Sequence, residues 1–198
     1  YFKFNNLYHE HISYGTMNDS DGNPFKTRDG GTKPLNELFE ETYRYIQKIN
    51  NSLSEPIIKN LTNSVLTYSD LITNRKTDYK FDIQKFTNVS GKTGIYIQYS
   101  QVRAKKLLDN MEFHENNYEE LVLNELDKNL LSKLMLFGYY LEQSASLKEP
   151  HHLANYIYEI SNLFNQFYED EKISDLIDEN HIYSKLFLTK LFLTTSHN

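Results

Sequence analysis

The chain has 198 residues, enough for one large domain or two small ones, and a chain of this length buries roughly 70% of its unfolded surface. It contains no cysteine, which excludes disulfides and thiolate metal sites, and its net charge of −6 excludes a generally basic nucleic-acid-binding surface. A local basic patch remains compatible with that charge, because attraction to phosphate is short-ranged at physiological salt. No apolar run long enough to span a membrane and no signal peptide is present, so the sequence predicts a soluble, cytoplasmic protein.

The first quarter of the chain contains a strand, a loop and a helix. Residues 11–17, HISYGTM, are typical of a strand that ends in a turn. Residues 21–31, DGNPFKTRDGG, form a glycine-rich basic loop suited to closing over an anionic ligand. Residues 34–50 predict a helix with Pro34 in its first turn and with Leu38, Tyr45 and Ile49 on its apolar side.

The rest of the chain is predicted to be helical apart from a connector at residues 73–94. A helix over residues 57–72 has one apolar stripe, formed by Ile58, Leu61, Val65, Tyr68 and Ile72. Four amphipathic helices then follow, at residues 95–108, 126–147, 151–170 and 181–195. The second of them aligns Leu130, Leu134, Phe137 and Leu141. Helices joined in this way predict a bundle, so the fold class is mainly α.

Several side chains could bind metals or bases, but each also has a simpler structural explanation. Two pairs of histidines, His9 with His11 and His151 with His152, lack a third ligand at a familiar spacing, so no protein-bound metal is predicted. The spacing of Tyr156, Phe164 and Phe167 matches one buried helix face, which favours a core position over base stacking for Phe164 and Phe167. The roles of Tyr96, Tyr99 and Tyr168 stay open. Arg103, Lys105 and Lys106 directly follow YIQYSQ, and such interleaved basic and aromatic residues indicate either a solvated face or an RNA-binding surface.

Four segments, taken in order, resemble arginyl-tRNA synthetases. Residues 11–38 are similar to the signature-loop region of these enzymes. Their sequence is HISYGTMNDSDGNPFKTRDGGTKPLNEL, in which NPFKT occupies the place of the KMSKS motif of class I synthetases. The connection after that loop is similar to NSVLTYSDLITNRKTDYKFDIQKF. Two further segments of this chain are similar to the helical anticodon-binding domain of these enzymes, which is of the DALR type. They are GKTGIYIQYSQVRAKKL and EPHHLANYIYEISNLFNQFYED. Asn23 departs from the motif, and no HIGH-like tetrapeptide is found.

The resemblance implies three regions and an ATP-binding function for the first. Residues 1–50 would be the end of the catalytic Rossmann domain with the KMSKS-like loop, 51–93 a connecting helix and linker, and 94–198 the anticodon-binding bundle. Lys26 would be catalytic, with its ammonium group on the phosphates of ATP, which carries Mg²⁺. Tyr14, Gly15, Thr27 and Arg28 would also contact ATP, although Arg28 is equally open to a salt bridge with Asp29. The isolated chain is expected to be inactive, because the HIGH half of the site is missing.

The resemblance also implies that the bundle binds the anticodon of arginine-specific tRNA. The residues it suggests for this role are Tyr96, Gln98, Tyr99, Arg103, Lys106, Asn165, Gln166 and Tyr168. Bases would be unstacked and laid against aromatic or amide side chains. The expected partners are tRNA, ATP and arginine, without a membrane, and we expect a monomer. Two other hypotheses stay open: a non-catalytic tRNA-binding or regulatory paralogue, and a helical protein-interaction module.

Overall fold

The protein is mainly α-helical, as the sequence predicts. The computed structural model describes residues 10–19, 22, 34–111, 120–171 and 173–197, except for the side chain of Ser174. In these ranges the elements are β1 (Met17–Asn18), α1 (Leu35–Ile49), α2 (Glu55–Leu71), β2 (Tyr79–Lys80), α3 (Ile83–Phe86), α4 (Gly94–Asn110), α5 (Glu125–Leu134), α6 (Phe137–Leu147), α7 (His151–Asp170), a 3-10 turn (Ile173–Asp175) and α8 (Glu179–His197). None of the described helices is both long and apolar enough to cross a membrane.

The predicted strand is much shorter than expected. β1 starts at Met17 and pairs in parallel with β2, with Met17 opposite Tyr79. Residues 10–16 are irregular because the connector before β2 gives them other partners: the backbone N–H of Thr16 donates to the carboxylate of Asp78 over 2.7 Å. Gly15 lies so close to this connector that a Cβ atom would be 2.5 Å from the carbonyl carbon of Thr77. The strand prediction for 11–17 was therefore wrong for all but its last residue.

The first core lies between α1, α2 and the short strands. α1 begins directly after Pro34, as predicted, but it buries Leu38, Thr42 and Ile46. Ile49 is exposed, so the predicted apolar side of this helix was wrong in its second half. The predicted stripe of α2 is confirmed, and it closes a core with buried members Leu38, Ile46, Ile58, Val65, Phe81, Phe86 and Ile95.

The second core is that of the helical bundle, with α7 at its centre. α7 contacts α4, α5, α6 and α8. Phe164 is fully buried and stacks on Phe192 of α8, with ring centroids 4.2 Å apart. The prediction that Phe164 and Phe167 belong to the core is confirmed. Buried members of this core are Ala104, Leu130, Leu134, Tyr156, Ile160, Phe164, Phe167, Leu188 and Phe192.

The helix predicted over residues 126–147 is two helices. α5 ends at Leu134, and α6 begins three residues later and buries none of its side chains fully. The break allows Tyr140 to stack on Tyr156 of α7 at 4.8 Å between centroids. The Tyr156 hydroxyl donates to the carbonyl of Leu134 over 3.1 Å, which satisfies an acceptor that a helix end leaves free. Leu141 is exposed, so its predicted place in the apolar stripe was wrong.

Contacts between α2, α4 and α7 join the two cores. Tyr68 of α2 is buried with Ile97 and Ala154, and its hydroxyl donates to the carbonyl of Ala154 over 3.2 Å. Gly94, at the start of α4, lies directly against the backbone of Ser64, where a Cβ atom would be 2.4 Å from the carbonyl oxygen. The predicted division into residues 1–50, 51–93 and 94–198 stays a prediction. α2, from the middle region, packs on α1 of the first region and on α4 and α7 of the third.

A buried ion pair connects α5 to α8 near the C-terminal end of α7. The Nζ atom of Lys185 donates to the Asp127 carboxylate over 2.7 Å, and neither side chain is exposed. Asp127 also accepts from the backbone N–H of Asn124, in a reciprocal capping box that begins α5. Lys185 lies 3.3 Å from Glu171, the residue that follows α7. One lysine of α8 is therefore linked to the first turn of α5 and to the residue that follows α7.

Replacement of Lys185 by methionine is expected to destabilise the chain by about 3–5 kcal/mol, because it leaves the Asp127 carboxylate buried without its cation. The free energy of unfolding, measured by urea denaturation, checks this. The control is Lys128→Met, which removes an exposed pair with Glu125 on the same helix and should change almost nothing. Equal stability of the two variants would contradict the role given to the buried pair.

Candidate nucleic-acid interface

The predicted anticodon-binding residues divide between α4 and the end of α7, which lie side by side. Tyr96, Tyr99 and Arg103 are three and four positions apart on α4, so they share one face of that helix. Asn165 and Tyr168 lie in the last two turns of α7. The close packing of α4 on α7 brings these two sets together.

Arg103 is the centre of this group. Its guanidinium carbon lies 4.4 Å from the ring centroid of Tyr99 and 5.1 Å from that of Tyr168, both within cation–π range. It donates to the Asn165 side-chain oxygen over 3.1 Å and to the Glu169 carboxylate over 2.9 Å. Partial burial opposes the charged form, but hydrogen bonds to Glu169 and Tyr99 raise the pKa of Arg103. The arginine is thus a fixed cation between two tyrosine rings.

Asn165 holds Arg103 in place and is only 7% exposed. Its side-chain nitrogen donates to the Ser100 hydroxyl over 2.7 Å, and that hydroxyl donates to the backbone carbonyl of Tyr96 over 2.9 Å. Both ends of the Asn165 amide are therefore occupied. The arrangement positions Arg103 and leaves Asn165 little freedom to bind a base itself.

Tyr99 and Tyr168 offer different amounts of ring surface. Tyr99 is 47% exposed, so it can still accept a stacked base although Arg103 lies over its ring. Tyr168 is half-buried, and its ring lies 6.1 Å from that of Phe164 in the core. Tyr168 therefore connects the core to the candidate interface. Of the two tyrosines, Tyr99 is the more accessible.

A cavity of about 670 Å³ opens beside Tyr168, between the C-terminal ends of α4 and α7. A cavity of this volume is within the usual range of ligand sites and has room for a planar base. Its lining combines apolar side chains with the carboxylates of Glu169 and Glu171. The described residues that line it are Leu107, Asn110, Met111, Phe167, Tyr168, Glu169, Glu171 and Ile173.

Three of the predicted residues lie outside the group around Arg103. The side-chain nitrogen of Gln98 donates to the hydroxyl of Ser64, so Gln98 connects α4 to α2. Lys106 and Gln166 are exposed on α4 and α7. A role of these three residues in RNA binding stays a prediction. Tyr96 lies nearby, with its hydroxyl donating to Asn162 over 3.3 Å.

Sequence reasoning did not identify Ser100 and Glu169, which hold Asn165 and Arg103. Neither residue has a distinctive motif, because serine and glutamate are common on helix surfaces. Their roles follow only from the pairing of α4 with α7, which places residues about 65 positions apart in contact. The sequence feature nearest to an indication of this arrangement was the spacing of Asn165 and Tyr168, which are three residues apart on one helix.

The predicted ATP-binding residues are only partly described. Lys26, Thr27 and Arg28 lie outside the described residues. Tyr14 and Gly15 line a small cavity of about 200 Å³ next to Arg75 and Thr77. The N–H of Gly15 already donates to the backbone carbonyl of Arg75, so only its carbonyl is left for a nucleotide. The ATP-binding roles stay predictions.

Among the residues that the structure describes, one group of side chains has the composition of a metal site. Ligand atoms of Glu149, His151 and His152 lie within 4.8 Å of one another. The Glu149 carboxylate is already paired, since Lys76 lies 3.0 Å away and the ring nitrogen of His152 3.4 Å away. Burial and the neighbouring His152 lower the pKa of His151. The contacts describe an ion-pair cluster, and the expectation of no protein-bound metal stays a prediction.

Comparison with protein families gives two matches that together cover most of the chain. The DALR anticodon binding domain matches residues 97–198, which contain α5 to α8 and nearly all of α4. The catalytic domain of class I tRNA synthetases (R) matches residues 2–83. Apart from Tyr96, the group around Arg103 lies within the first match.

Similar proteins are called arginine–tRNA ligase. A protein called arginine–tRNA ligase from Agathobacter rectalis is 36% identical over an alignment 203 positions long, which covers 93% of this chain and 34% of that protein. Another from Francisella tularensis subsp. novicida is 34% identical over an alignment 180 positions long, which covers 86% of this chain and 31% of that protein. The chain thus spans about a third of the length of these relatives.

Two solved structures have the same fold over most of the chain. Arginyl-tRNA synthetase from Plasmodium falciparum superposes with a TM-score of 0.69 at 28% identity, over 83% of this chain and 31% of that one. The Thermus thermophilus arginyl-tRNA synthetase gives a TM-score of 0.78 over 93% of this chain and 32% of that one, at 19% identity. The chain therefore belongs to the arginyl-tRNA synthetase family, with a DALR anticodon-binding domain and part of a class I catalytic domain.

Proposed function

We propose that the surface around Arg103 binds the anticodon loop of arginine-specific tRNA, as part of an arginine–tRNA ligase. The observation that carries this proposal is the arginine fixed between Tyr99 and Tyr168 by Asn165 and Glu169, inside the DALR domain. Single-stranded RNA is generally bound by stacking of unstacked bases on aromatic rings and guanidinium planes. The group offers both kinds of surface within a few ångströms.

Each member of the group has a separate part in this proposal. Tyr99 stacks a base on its exposed ring, and Tyr168 flanks the cavity that takes a second base. Arg103 lies within cation–π distance of both rings and supplies positive potential next to them. Because Glu169 neutralises part of that charge, binding depends on stacking as well as on attraction to phosphate. Lys106, which is exposed three residues further along α4, adds a contact to the RNA backbone.

The catalytic part of the proposal concerns the complete protein, because the relatives are about three times as long as this chain. Arginine would be activated with Mg²⁺-bound ATP to arginyl-adenylate and then transferred to tRNA. Lys26 would stabilise the charge that develops as pyrophosphate leaves, and the loop at residues 21–31 would close over ATP. The match of residues 2–83 to the class I catalytic domain supports this assignment.

Replacing Tyr99 by leucine is expected to erode the preference for arginine anticodons, because it removes one stacking ring worth roughly 1–3 kcal/mol. Fluorescence anisotropy with labelled anticodon stem–loops, cognate and non-cognate, measures this. The matched control is Tyr139→Leu, since Tyr139 is an exposed tyrosine on α6, away from the α4–α7 contact. If the Tyr99 variant retains the full preference, the ring does not bind a base.

Replacing Lys26 by alanine in the complete protein should lower the rate of arginine activation by roughly 100-fold or more, the scale of losing one transition-state donor. Arginine-dependent exchange of pyrophosphate into ATP provides the measurement. The control is Lys59→Ala, which removes an exposed ion pair with Glu55 on α2 and should leave the rate unchanged. An unchanged rate for the Lys26 variant would contradict the role given to Lys26 and its loop.

A further inference from the structure

A second cationic side chain lies over a tyrosine at the other end of the α4–α7 contact. Lys92 precedes α4 and is exposed. Its Nζ atom donates to the side-chain oxygen of Asn155 over 2.7 Å and lies 5.5 Å from the ring centroid of Tyr158. The Asn155 nitrogen donates to the backbone carbonyl of His151 over 2.7 Å, which turns the oxygen toward Lys92. The lysine thus has a defined position.

The arrangement repeats that of Arg103. In both places, asparagine and tyrosine are three residues apart on α7: Asn155 with Tyr158, and Asn165 with Tyr168. In both, a cation from the α4 side binds the asparagine oxygen and lies over the tyrosine. The two asparagines are ten residues apart, which is about 15 Å along the helix axis.

Tyr96 connects the two places. Its ring centroid lies 5.6 Å from that of Tyr158, and on α4 it is one turn before Tyr99. Its hydroxyl donates to Asn162, which lies between the two asparagines on α7. A continuous aromatic and polar surface therefore runs from Lys92 to Arg103.

The charge of Lys92 differs from that of Arg103 in one respect. Arg103 is paired with Glu169, whereas the partner of Lys92 is a neutral amide, and no carboxylate of the described residues is within ion-pairing distance of it. An exposed cation without a counter-ion suits a phosphate, for which lysine acts as a point charge. A structural role in joining the loop to α7 would be served equally well by an uncharged donor.

We propose that Lys92, held by Asn155 over Tyr158, binds a backbone phosphate of the same RNA strand whose bases contact the group around Arg103. The proposal rests on the proposed anticodon binding and adds a contact a few nucleotides away. A span of about 15 Å is too long for one nucleotide and fits a short unstacked stretch that follows the α4–α7 surface. The contact carries no sequence information, because every nucleotide has the same phosphate.

The test compares Lys92→Gln and Lys92→Arg with the unchanged chain in binding an anticodon stem–loop of arginine tRNA over a range of salt concentrations. Loss of one phosphate contact should reduce the slope of log affinity against log salt by about 0.7–0.9 and weaken cognate and non-cognate stem–loops equally. Lys92→Arg should retain the slope. The control Lys128→Gln removes an exposed lysine of α5 and should also retain it. With the anticodon triplet alone, Lys92→Gln should bind as the unchanged chain does.

The outcomes separate this proposal from the function on which it rests. If the unchanged chain binds no stem–loop even at low salt, the anticodon-binding function fails, and the Lys92 contact fails with it. If the chain binds but Lys92→Gln keeps the full salt slope, only the Lys92 contact is overturned. A loss restricted to the cognate stem–loop would also overturn it, because that result indicates a base contact. Equal melting temperatures of the variants show that the fold is intact.

Discussion

The buried pair of Asp127 and Lys185 is the constraint on which the rest of the bundle depends. Two charges without solvent exposure are tolerated only when each is paired and hydrogen-bonded, so the first turn of α5 has one placement relative to α8. Lys185 also lies near Glu171, and Asn124 donates to Asp170, which ties the end of α7 to the same point. The residues of α7 that face α4 are thereby held in position.

That position explains how an acidic chain can present a surface for RNA. The net charge of −6 gives no general attraction to phosphate, so affinity must come from a local arrangement of charge and stacking surface. Hydrogen bonds to Asn165 and Glu169 hold the charged guanidinium group of Arg103 beside two tyrosine rings. Pre-ordering of this side chain in the free protein reduces the entropy lost when a base stacks beside it.

Sequence reasoning was most accurate where local signals were strong. Pro150 and a regular apolar period predicted α7 over its whole length, and the stripe of α2 was equally clear. The break between α5 and α6 could not be predicted, because residues 135 and 136 include neither proline nor glycine, and the stacking of Tyr140 on Tyr156 that accompanies the break has no local signal. The buried position of Lys185 was also beyond prediction, since lysine is nearly always exposed unless paired.

The candidate site shows the same division. Tyr99, Arg103 and Tyr168 were predicted because a family resemblance placed them in the anticodon-binding domain. Ser100 and Glu169, which orient them, and the parallel arrangement at Lys92 depend on which faces of α4 and α7 meet. A single sequence carries no local signal for such a pairing, because the partners are more than 60 residues apart.

Amide hydrogen exchange of the chain, with and without a saturating anticodon stem–loop of arginine tRNA, tests the central claim most directly. The account predicts slower exchange in α4 around residues 96–106 and in the last turns of α7, together with unchanged exchange in α1 and α6. Protection restricted to α1 and α2, or no change in α4 and α7 when the RNA is bound, would contradict the assignment of the α4–α7 surface to the anticodon.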